Sequence, residues 1–513
     1  MDIYFEQGVS SAITGADNNC LIIGKVSSFS GSNNLVEATS LSELESNGIA
    51  ESNGGVLYRA AKSFFAANGL MPKPAKLYAY AVDGTAATST IEKEEMLGVV
   101  NGSNATFKTQ GSPVSDQAVY IQWEDGGDYI TQPTVSYSPE TIATDIYSGE
   151  IEFSEDDDAL TILASGAVAG APPTYAKVSD LGVTYPSAKI FSDYTQSGLG
   201  GILKTLREVD VHAWMFAYDE TPTLMATGYY TGTGGSWTLD QIVGANESLI
   251  ASQKGKSRIF VRALPTGVEP DDEVASNLRT GISSYDWREI GNVSGNKLVT
   301  SVAHDVLTAS GVPVNNMSAT MMGTIAGQYP LNRNFALRGL SISQTTFPLE
   351  SVIDKWTTAQ VNVIIEMPDL YPTERLLSFG MTHGSGIEKH VEYIRCATKF
   401  ARELNAGMHD LIRNRTVRIS KQGALALNAA IMAIANRLKT EEVLDGLAKF
   451  NEDGYHPIEN PYLDLITKSS KSAADLAELA AYNVAKTFPP VTVNWKWSGN
   501  LEHMTIRMRV VLT

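Results

Sequence analysis

The sequence has few cysteines and no long apolar segment, and both absences narrow the classes of protein to which it can belong. Among 513 residues only Cys20 and Cys396 are cysteines, and they lie far apart. Two distant thiols provide neither a disulfide framework nor the four ligands of a structural zinc site, so we expect both to be buried and inert. No apolar run approaches the roughly 18 residues that span a bilayer, so we predict no membrane insertion.

Positive charge is also scarce. The chain has 39 lysines and arginines against 57 aspartates and glutamates, which gives a formal net charge of -18. A chain this acidic repels nucleic acid and anionic membranes, so direct nucleic-acid binding is not expected. No basic residue precedes Lys25, so the start lacks the charged region of a secretory signal, and we expect the protein to be made and kept in the cytoplasm.

One segment departs from this acidity. Arg413, Arg415, Arg418 and Lys421 bring four positive charges together within nine residues that contain no acid. Such a run is either a solvated turn or a patch that contacts an acidic partner surface.

The C-terminal region alternates between apolar and polar residues with the two-residue period of a β-strand. One run covers Val491 to Trp497, a second starts at Met504, and the turn residues Ser498, Gly499 and Asn500 lie between them. This pattern predicts a hairpin. The second strand continues to the last residue, so its edge is open to a strand from another chain. Either the hairpin belongs to the chain's own sheet, or its last strand completes a sheet in another subunit.

The residues that would form such intersubunit arms lie at both ends of the chain. Residues 1–15 contain scattered apolar side chains and two glycines, which predicts an extended arm with a reach of roughly 45 Å. The proposed arm residues are Ile3 and Phe5 at the N-terminal end, and Met504, Ile506, Met508, Val510 and Leu512 at the C-terminal end.

The rest of the chain predicts a multidomain α/β and α+β protein. Strand, helix and strand follow one another at 20–26, 56–68 and 77–82, which is typical of an α/β core. Short alternating runs separated by Gly, Pro and Asp then predict an inserted all-β domain. Helix and strand alternate again after Pro186, with strands at 209–218 and 258–262 and a helix at 239–252.

The clearest helix is predicted to begin at Ile387, with apolar residues at steps of three and four as far as Leu411. Its other faces carry charged residues, among them Glu392, Arg395 and Arg402. A second helix is predicted at 422–438, a third that follows Thr440 and a fourth from Ser472, before the C-terminal hairpin. The predicted segments are an arm (1–15), the first part of the α/β core (16–87), the inserted β-rich domain (88–185), an α/β domain (186–380), a C-terminal helical and β domain (381–498) and a strand arm (499–513).

An enzyme is the main competing class. Gly24 is followed by Lys25, Val26 and Ser27, so neither the dinucleotide-binding fingerprint nor a P-loop is present. His383 stands where a nucleophile elbow requires glycine, and Ser385 is better explained as the cap of the following helix. The acidic run at 155–158 lacks the alternating ligand spacing of a calcium loop. We therefore predict no catalytic residues, no metal and no cofactor.

The order of several segments resembles that of contractile tail sheath proteins of phages and related injection machines. At the N-terminal side these segments are LIIGKV, ATSLSEL, LYRAAKSFFAANG and LYAYAV. In the middle, MMGTIAGQYPLNRN is similar to the segment that precedes the C-terminal domain of the family. At the C-terminal side they are VEYIRCATKF, KQGALALNAAIMAIANRL and DLAELAAYNVAKTFPPVTVNWKWSGNLEHMTIRMRVV.

The resemblance implies a virion subunit that stacks in hexameric rings around a tail tube. It implies contacts with other copies of the chain, with the tail tube protein, and with baseplate and tail terminator proteins. The arms of such proteins join sheets of neighbouring subunits, and contraction drives the tube through the target envelope. A capsid subunit or another virion lattice protein shares the acidity and the exposed arms, and remains the alternative.

Overall fold

The structure is a computed structural model of the chain. It describes residues 2–4, 18–29, 31, 33–72, 74–83, 89–96, 106–110, 114–125, 128–131, 135–136, 142–145, 150–153, 161–162, 189–196, 198–217, 258–263, 299–302, 306–307, 313–315, 317–328, 331, 338–340, 353–354, 357, 360–367, 371–377, 380, 382, 390–413, 419–449, 455–485, 488–497 and 500–507.

The helices of four residues or more in these ranges are α1 (Leu41–Ser46), α2 (Gly55–Asn68), α3 (Gly198–Leu206), α4 (Met317–Gly327), α5 (Val391–Arg413), α6 (Lys421–Thr440), α7 (Pro461–Thr467) and α8 (Ala473–Ala485). The strands are β1 (Asp2–Tyr4), β2 (Asn19–Val26), β3 (Leu35–Ala38), β4 (Lys76–Asp83), β5 (Ser89–Glu95), β6 (Thr106–Lys108), β7 (Val114–Asp125), β8 (Asp128–Thr131), β9 (Val135–Ser136), β10 (Ile142–Asp145), β11 (Glu150–Phe153), β12 (Thr161–Ile162), β13 (Lys189–Gln196), β14 (Ala213–Ala217), β15 (Ile259–Ala263), β16 (Val299–Val302), β17 (Val306–Leu307), β18 (Pro313–Asn315), β19 (Arg338–Leu340), β20 (Val361–Asn362), β21 (Ile364–Met367), β22 (Tyr371–Leu377), β23 (Gly446–Leu447), β24 (Ile458–Glu459), β25 (Val491–Trp497) and β26 (Asn500–Arg507).

The largest sheet has seven strands in the order β20-β16-β15-β14-β2-β4-β3. Neighbouring strands are parallel except for β3, which is antiparallel to β4. Its centre is buried on both faces, which explains why β2 is a continuous apolar run rather than an alternating one. On one face Trp214, Phe216 and Phe260 form a cluster with ring centroids 4.8 to 6.0 Å apart. The strands predicted at 20–26, 77–82, 209–218 and 258–262 are thus confirmed within a few residues.

Two helices cover the other face of this sheet. Helix α2 packs on β2 at Gly24, where a Cβ atom would lie only 2.9 Å from the Cβ of Leu57. Helix α4 packs on α2, and a Cβ atom at Gly323 would lie 2.4 Å from the carbonyl oxygen of Phe64. All 11 residues of α4 are buried. Glycine at these two positions therefore sets the distance between the layers.

Smaller sheets follow β4 in the chain. Four strands form the sheet β5-β13-β7-β8, and further strands form β10-β11-β6 and β12-β9. The side chain of Glu94 on β5 accepts hydrogen bonds from the Tyr194 hydroxyl, from Lys204 Nζ and from the Gln110 amide. Because Lys204 lies on α3, this carboxylate connects the β5-β13 sheet to the helix that precedes β14. The strands predicted in this region are present where the structure describes it, whereas the acidic run at 155–158 lies outside the described residues.

The C-terminal part combines α5 to α8 with a sheet in the order β1-β26-β25-β23, in which β24 also pairs with β25. Helix α6 begins at the predicted place because the Ser420 hydroxyl accepts the amide of Gly423 at 3.1 Å. Helix α8 begins with a capping box, in which Ser472 and Asp475 each accept the other's amide. The elements together form a mixed α/β structure with several sheets, whereas the predicted division into domains stays a prediction.

Two helix predictions are wrong. Helix α5 begins at Val391, not at Ile387, because the Val391 amide donates to the Gly380 carbonyl oxygen at 2.9 Å. Ser385, the predicted cap, lies outside the described residues. No helix starts directly after Thr440 in residues 441–449, because Glu442 (φ 55°) and Gly446 (φ 123°) adopt the left-handed conformation that stops a helix. The helix predicted at 239–252 lies outside the described residues.

Within the described ranges, no helix combines the length and hydropathy that are needed to cross a bilayer.

Candidate functional site

The hairpin of β25 and β26 has the predicted position, with Trp497 paired to Asn500 and Val491 paired to Ile506. Only two residues separate its strands, which is a common hairpin loop length. The apolar residues of β25 point into the core: Val491, Val493, Trp495 and Trp497 are each at most 7% exposed. Strand β25 thus belongs to the chain's own core, and β26 pairs beside it in the same sheet.

The outer edge of β26 carries the N-terminal strand β1. The two strands are parallel, with Asp2 opposite Thr505, Ile3 opposite Ile506, and Tyr4 opposite Arg507. The structure thus brings together the backbones of the two predicted arms at this edge. Of the predicted arm residues, Ile3, Met504 and Ile506 lie in these strands, whereas Phe5, Met508, Val510 and Leu512 lie outside the described residues.

The other side of β25 is covered within the chain. Strand β23 pairs with it at Trp495 and Lys496, and β24 pairs with it at Thr492 and Val493. By contrast, the part of β26 from Asn500 to Met504 has no second strand partner among the described residues. Among the described residues, β1 thus covers only the part of the β26 edge from Thr505 to Arg507.

Helix α5 supports this sheet from behind through aromatic contacts. The ring of Tyr393 stacks on that of Trp495, with centroids 5.9 Å apart and an interplanar angle of 11°. Phe400 lies 5.5 Å from Trp495, and Trp497 lies 5.3 Å from Tyr393. The apolar stripe predicted for this helix is confirmed, since Ile394, Ala397, Leu404 and Met408 are among its buried residues.

A second buried face of α5 was not predicted from the sequence. Arg402 Nη2 donates to the Val211 carbonyl oxygen at 2.9 Å and lies 3.5 Å from Asp210 Oδ1. Arg395 Nη1 donates to the Gln328 carbonyl oxygen at 3.2 Å. These acceptors precede β14 and follow α4, so this face contacts the α/β sheet. Its residues are each at most 8% exposed and recur at steps of three and four: Glu392, Arg395, Thr398, Arg402 and Asn405.

Burial shifts the pKa values of two titratable side chains in this region, His212 and Glu392. Desolvation lowers the pKa of His212 well below its ordinary value, and the nearby Arg395 and Arg402 act in the same direction. His212 is therefore neutral. Desolvation raises the pKa of Glu392 to about 7.

Burial also raises the pKa of Cys20 and of Cys396 to about 12. Both thiols are buried, as predicted, and at neutral pH they are not thiolate nucleophiles. In the part of the chain that the structure describes, no group of three His, Cys, Asp or Glu side chains could hold a metal ion.

The basic segment connects α5 to α6. Arg413 is the last residue of α5 and Lys421 the first of α6, whereas Arg415 and Arg418 lie outside the described residues, as do His383 and Ser385. Whether the four charges share one surface stays a prediction.

No protein-family model matches the sequence, and no curated protein matches it significantly. Two solved structures are similar over nearly the full length. One is the sheath tail protein Lin1278 from Listeria innocua, with 10% sequence identity and a TM-score of 0.47, covering 96% of this chain and 95% of that chain. The other is from the baseplate of the anti-feeding prophage, with 10% identity and a TM-score of 0.46, covering 100% of this chain and 95% of that chain.

Proposed function

We propose that the chain is a structural subunit of a contractile tail sheath. In this proposal it polymerises as stacked hexameric rings around a tail tube and contracts to drive the tube through the target cell envelope. The order of sheath-like segments along most of the sequence supports it. In this proposal its role is structural rather than catalytic.

The observation that carries the proposal is the pairing of β1 with the edge of β26. Residues 5–17 connect β1 to the core, and a segment of this length reaches roughly 45 Å when fully extended. The same backbone pairing can therefore be made by β1 of a neighbouring subunit. Strand addition fixes orientation through main-chain hydrogen bonds, which survive rotation of the attached domains. A lattice linked in this way stays connected while it shortens.

The partners follow from the proposed role. Other copies of the chain form the rings and the stack, the tail tube protein lies inside, and baseplate and tail terminator proteins cover the two ends. The subunit would assemble in the host cytoplasm and reside in the virion tail, where contraction precedes genome ejection. Contraction needs no nucleotide if the shorter lattice buries more surface, because each Å² of apolar area contributes roughly 25 cal/mol.

A disulfide placed between the two arms tests the pairing. In the variant Ile3→Cys/Ile506→Cys the new thiols are in register. We expect air oxidation of assembled protein at pH 8 to give covalent ladders of two or more chains on a non-reducing denaturing gel. Cys20 and Cys396 do not compete, because burial raises their pKa to about 12.

The matched control is Ile3→Cys/Leu501→Cys, which places the second thiol on the same strand but out of register. It should give few cross-links. If the in-register variant yields only monomers closed within one chain, the arms are not exchanged. Electron micrographs of the purified protein provide a second test, since tubes support a sheath and closed shells would favour a capsid subunit.

We also propose that Arg413, Arg415, Arg418 and Lys421 contact an acidic surface of the tube or of a neighbouring subunit. Reversing two of these charges, Arg415→Glu/Arg418→Glu, should weaken assembly most at low salt, where charge interactions are least screened. The control Lys62→Glu/Lys189→Glu makes the same change at two exposed lysines elsewhere. Normal sheathing of tubes by the first variant at low salt would show that the segment is only a solvated turn.

A further inference from the structure

A short segment at the end of α3 and before β14, residues 204–212, contacts three separate parts of the structure. We call it the junction segment. Its most buried residues, each at most 6% exposed, are Leu206, Arg207, Val211 and His212. Buried backbone groups need hydrogen-bond partners, so most connections between elements lie at the surface. The partners of this buried connection come from the β5-β13-β7-β8 sheet, from the seven-stranded sheet and from α5.

On one side, the junction segment holds the β5-β13-β7-β8 sheet. Lys204 Nζ donates to the carboxylate of Glu94 on β5, whose side chain is only 13% exposed. The same carboxylate accepts the Tyr194 hydroxyl of β13 and, at 3.2 Å, the amide of Gln110. Arg207 Nη1 donates to the carbonyl oxygen of Gln110. Two positively charged residues of the segment therefore bind β5 and the chain that follows β6.

Both ends of the junction segment are bonded to the seven-stranded sheet. The His212 amide donates to the carbonyl oxygen of Asn19 at 2.8 Å, and the His212 carbonyl oxygen accepts the amide of Ile259 at 2.9 Å. Asn19 begins β2 and Ile259 begins β15. At the other end, Arg258 Nη1 donates to the Leu206 carbonyl oxygen at 3.2 Å. The sheet thus fixes the two ends and leaves the residues between them to the other contacts.

Helix α5 contacts the junction segment from the remaining side. Arg402 is 4% exposed, and its Nη2 donates to the Val211 carbonyl oxygen at 2.9 Å and lies 3.5 Å from Asp210 Oδ1. A buried guanidinium that loses such an acceptor leaves an uncompensated charge, which is costly. The position of α5 therefore depends on the conformation of residues 210–211.

We propose that the junction segment couples α5 to the β5-β13-β7-β8 sheet. The bonds to that sheet end at Arg207 and those to α5 begin at Asp210, so one short stretch must be ordered for both sets. Loss of either set loosens this stretch and weakens the other set. Such coupling is reciprocal and acts through local order rather than through a direct contact.

The coupling is a property of a single chain. In the proposed lattice it would carry a change at the terminal strands through α5 to the β5-β13-β7-β8 sheet. That use rests on the proposed function, whereas the coupling itself is measured on the soluble full-length chain. Tubes or closed shells in electron micrographs decide the proposed function, so the two can fail separately.

Hydrogen exchange followed by mass spectrometry tests the coupling. Arg402→Met removes the bonds on the α5 side and keeps the packed stem. We expect exchange at least about threefold faster in residues 204–212 and also in β5 and β13, to which Arg402 makes no hydrogen bond in the described residues. Arg207→Met should in turn speed exchange in α5 around residues 398–405. Strand β3, at the far edge of the seven-stranded sheet, should keep its wild-type rates in both variants.

Two controls make the same kind of change at exposed ion pairs of the same two parts. Arg437→Met breaks the pair with Glu403 of α5, and Lys189→Met breaks the pair with Glu95 of β5. Neither control should change exchange in the junction segment.

The pattern of exchange decides the inference. It is overturned if Arg402→Met affects only α5 and the junction segment, if Arg207→Met leaves α5 at its wild-type rates, or if the controls spread as far as the variants. If a methionine variant does not fold, Arg402→Lys or Arg207→Lys takes its place, because lysine keeps the charge and cannot reproduce the guanidinium geometry. The lysine variants are held to the same pattern.

Discussion

The two buried faces of α5 differ in chemistry although both exclude water. One face contacts β25 through rings, with Tyr393 and Phe400 on either side of Trp495. The other contacts the α/β sheet through charged groups, with Arg395 and Arg402 bonded to backbone carbonyl oxygens. Apolar burial is non-directional and tolerates small shifts, whereas a buried guanidinium needs its acceptors in fixed positions. We therefore expect the first face to contribute more stability and the second to fix the orientation.

This difference bears on how a sheath subunit would move. On one side, the arginines of α5 donate to the carbonyl oxygens of Val211, just before β14, and of Gln328, just after α4. On the other side, the apolar residues of α5 pack on the sheet that contains β25 and β26. Helix α5 thus joins the seven-stranded sheet to the sheet with the terminal strands. In the proposed lattice, force applied at β26 would reach the α/β core through this helix. The following variants test the two faces in turn.

The largest effect is expected on the apolar face. Trp495→Ala removes a side chain that is 1% exposed and opens a cavity between β25 and α5. We expect the free energy of unfolding to fall by roughly 3 to 5 kcal/mol, the usual cost of such a truncation. Urea unfolding of this region measures it, and Leu425→Ala at an exposed site should change it by less than about 0.5 kcal/mol. Equal effects of both variants would show that Trp495 is not part of the core.

The sequence predicted the apolar face and missed the polar one for a physical reason. An apolar stripe at steps of three and four specifies a buried helix face whatever it packs against. Arg395 and Arg402 also recur at helical spacing, but charged side chains are almost never fully buried unless paired. Their partners are backbone carbonyl oxygens at Gln328 and Val211, and such acceptors leave no mark in the sequence. The stripe of polar residues from Glu392 to Asn405 was the only available signal.

Helix α4 escaped prediction for the opposite reason. All of its residues are buried, so Met317–Gly327 shows no alternation between a dry and a wet face. The pairing of β1 with β26 could be predicted only in part. The alternation of apolar and polar residues predicted that β26 is a strand. The three residues of β1 are too few to show such an alternation, and their parallel register with β26 depends on tertiary contacts.

A smaller effect is expected from breaking the polar face. Arg402→Ala removes a guanidinium that is bonded to Val211 and lies near Asp210, which leaves a buried carbonyl oxygen unpaired. We expect a loss of about 3 kcal/mol in the free energy of unfolding, near the low end for a buried pair because Asp210 is partly exposed. Arg402→Met keeps the packed stem and should lose less.

The matched surface control is Arg437→Ala, since Arg437 of α6 pairs with Glu403 of α5 but is half exposed. It should cost less than about 1 kcal/mol. Hydrogen exchange gives a sharper readout than stability alone. Loss of the polar contact should raise the rate of hydrogen exchange where α5 meets β14 and leave β25 protected. An equal rise in exchange across both sheets would contradict a separate role for the polar face.

A further effect, which depends on pH, comes from a single proton on Glu392. Desolvation raises the pKa of this carboxyl group to about 7, against an opposing effect of Arg395. His390 Nδ1 lies 4.0 Å from one of its oxygens. The fold therefore favours the protonated acid, so this contribution to stability is complete below the ordinary pKa and is lost as pH rises through about 7. At pH 8 this contribution is almost completely lost.

Glu392→Gln tests this because glutamine resembles the neutral acid at every pH. The difference in the free energy of unfolding between variant and wild type should be near zero at pH 4 and grow in favour of the variant up to pH 8. The comparison variant is Glu403→Gln, at a carboxyl group of α5 whose side chain is 18% exposed. If Glu392→Gln is less stable than wild type at pH 8, the carboxylate is held charged by Arg395, and the polar face stabilises a buried ion pair instead of a neutral acid.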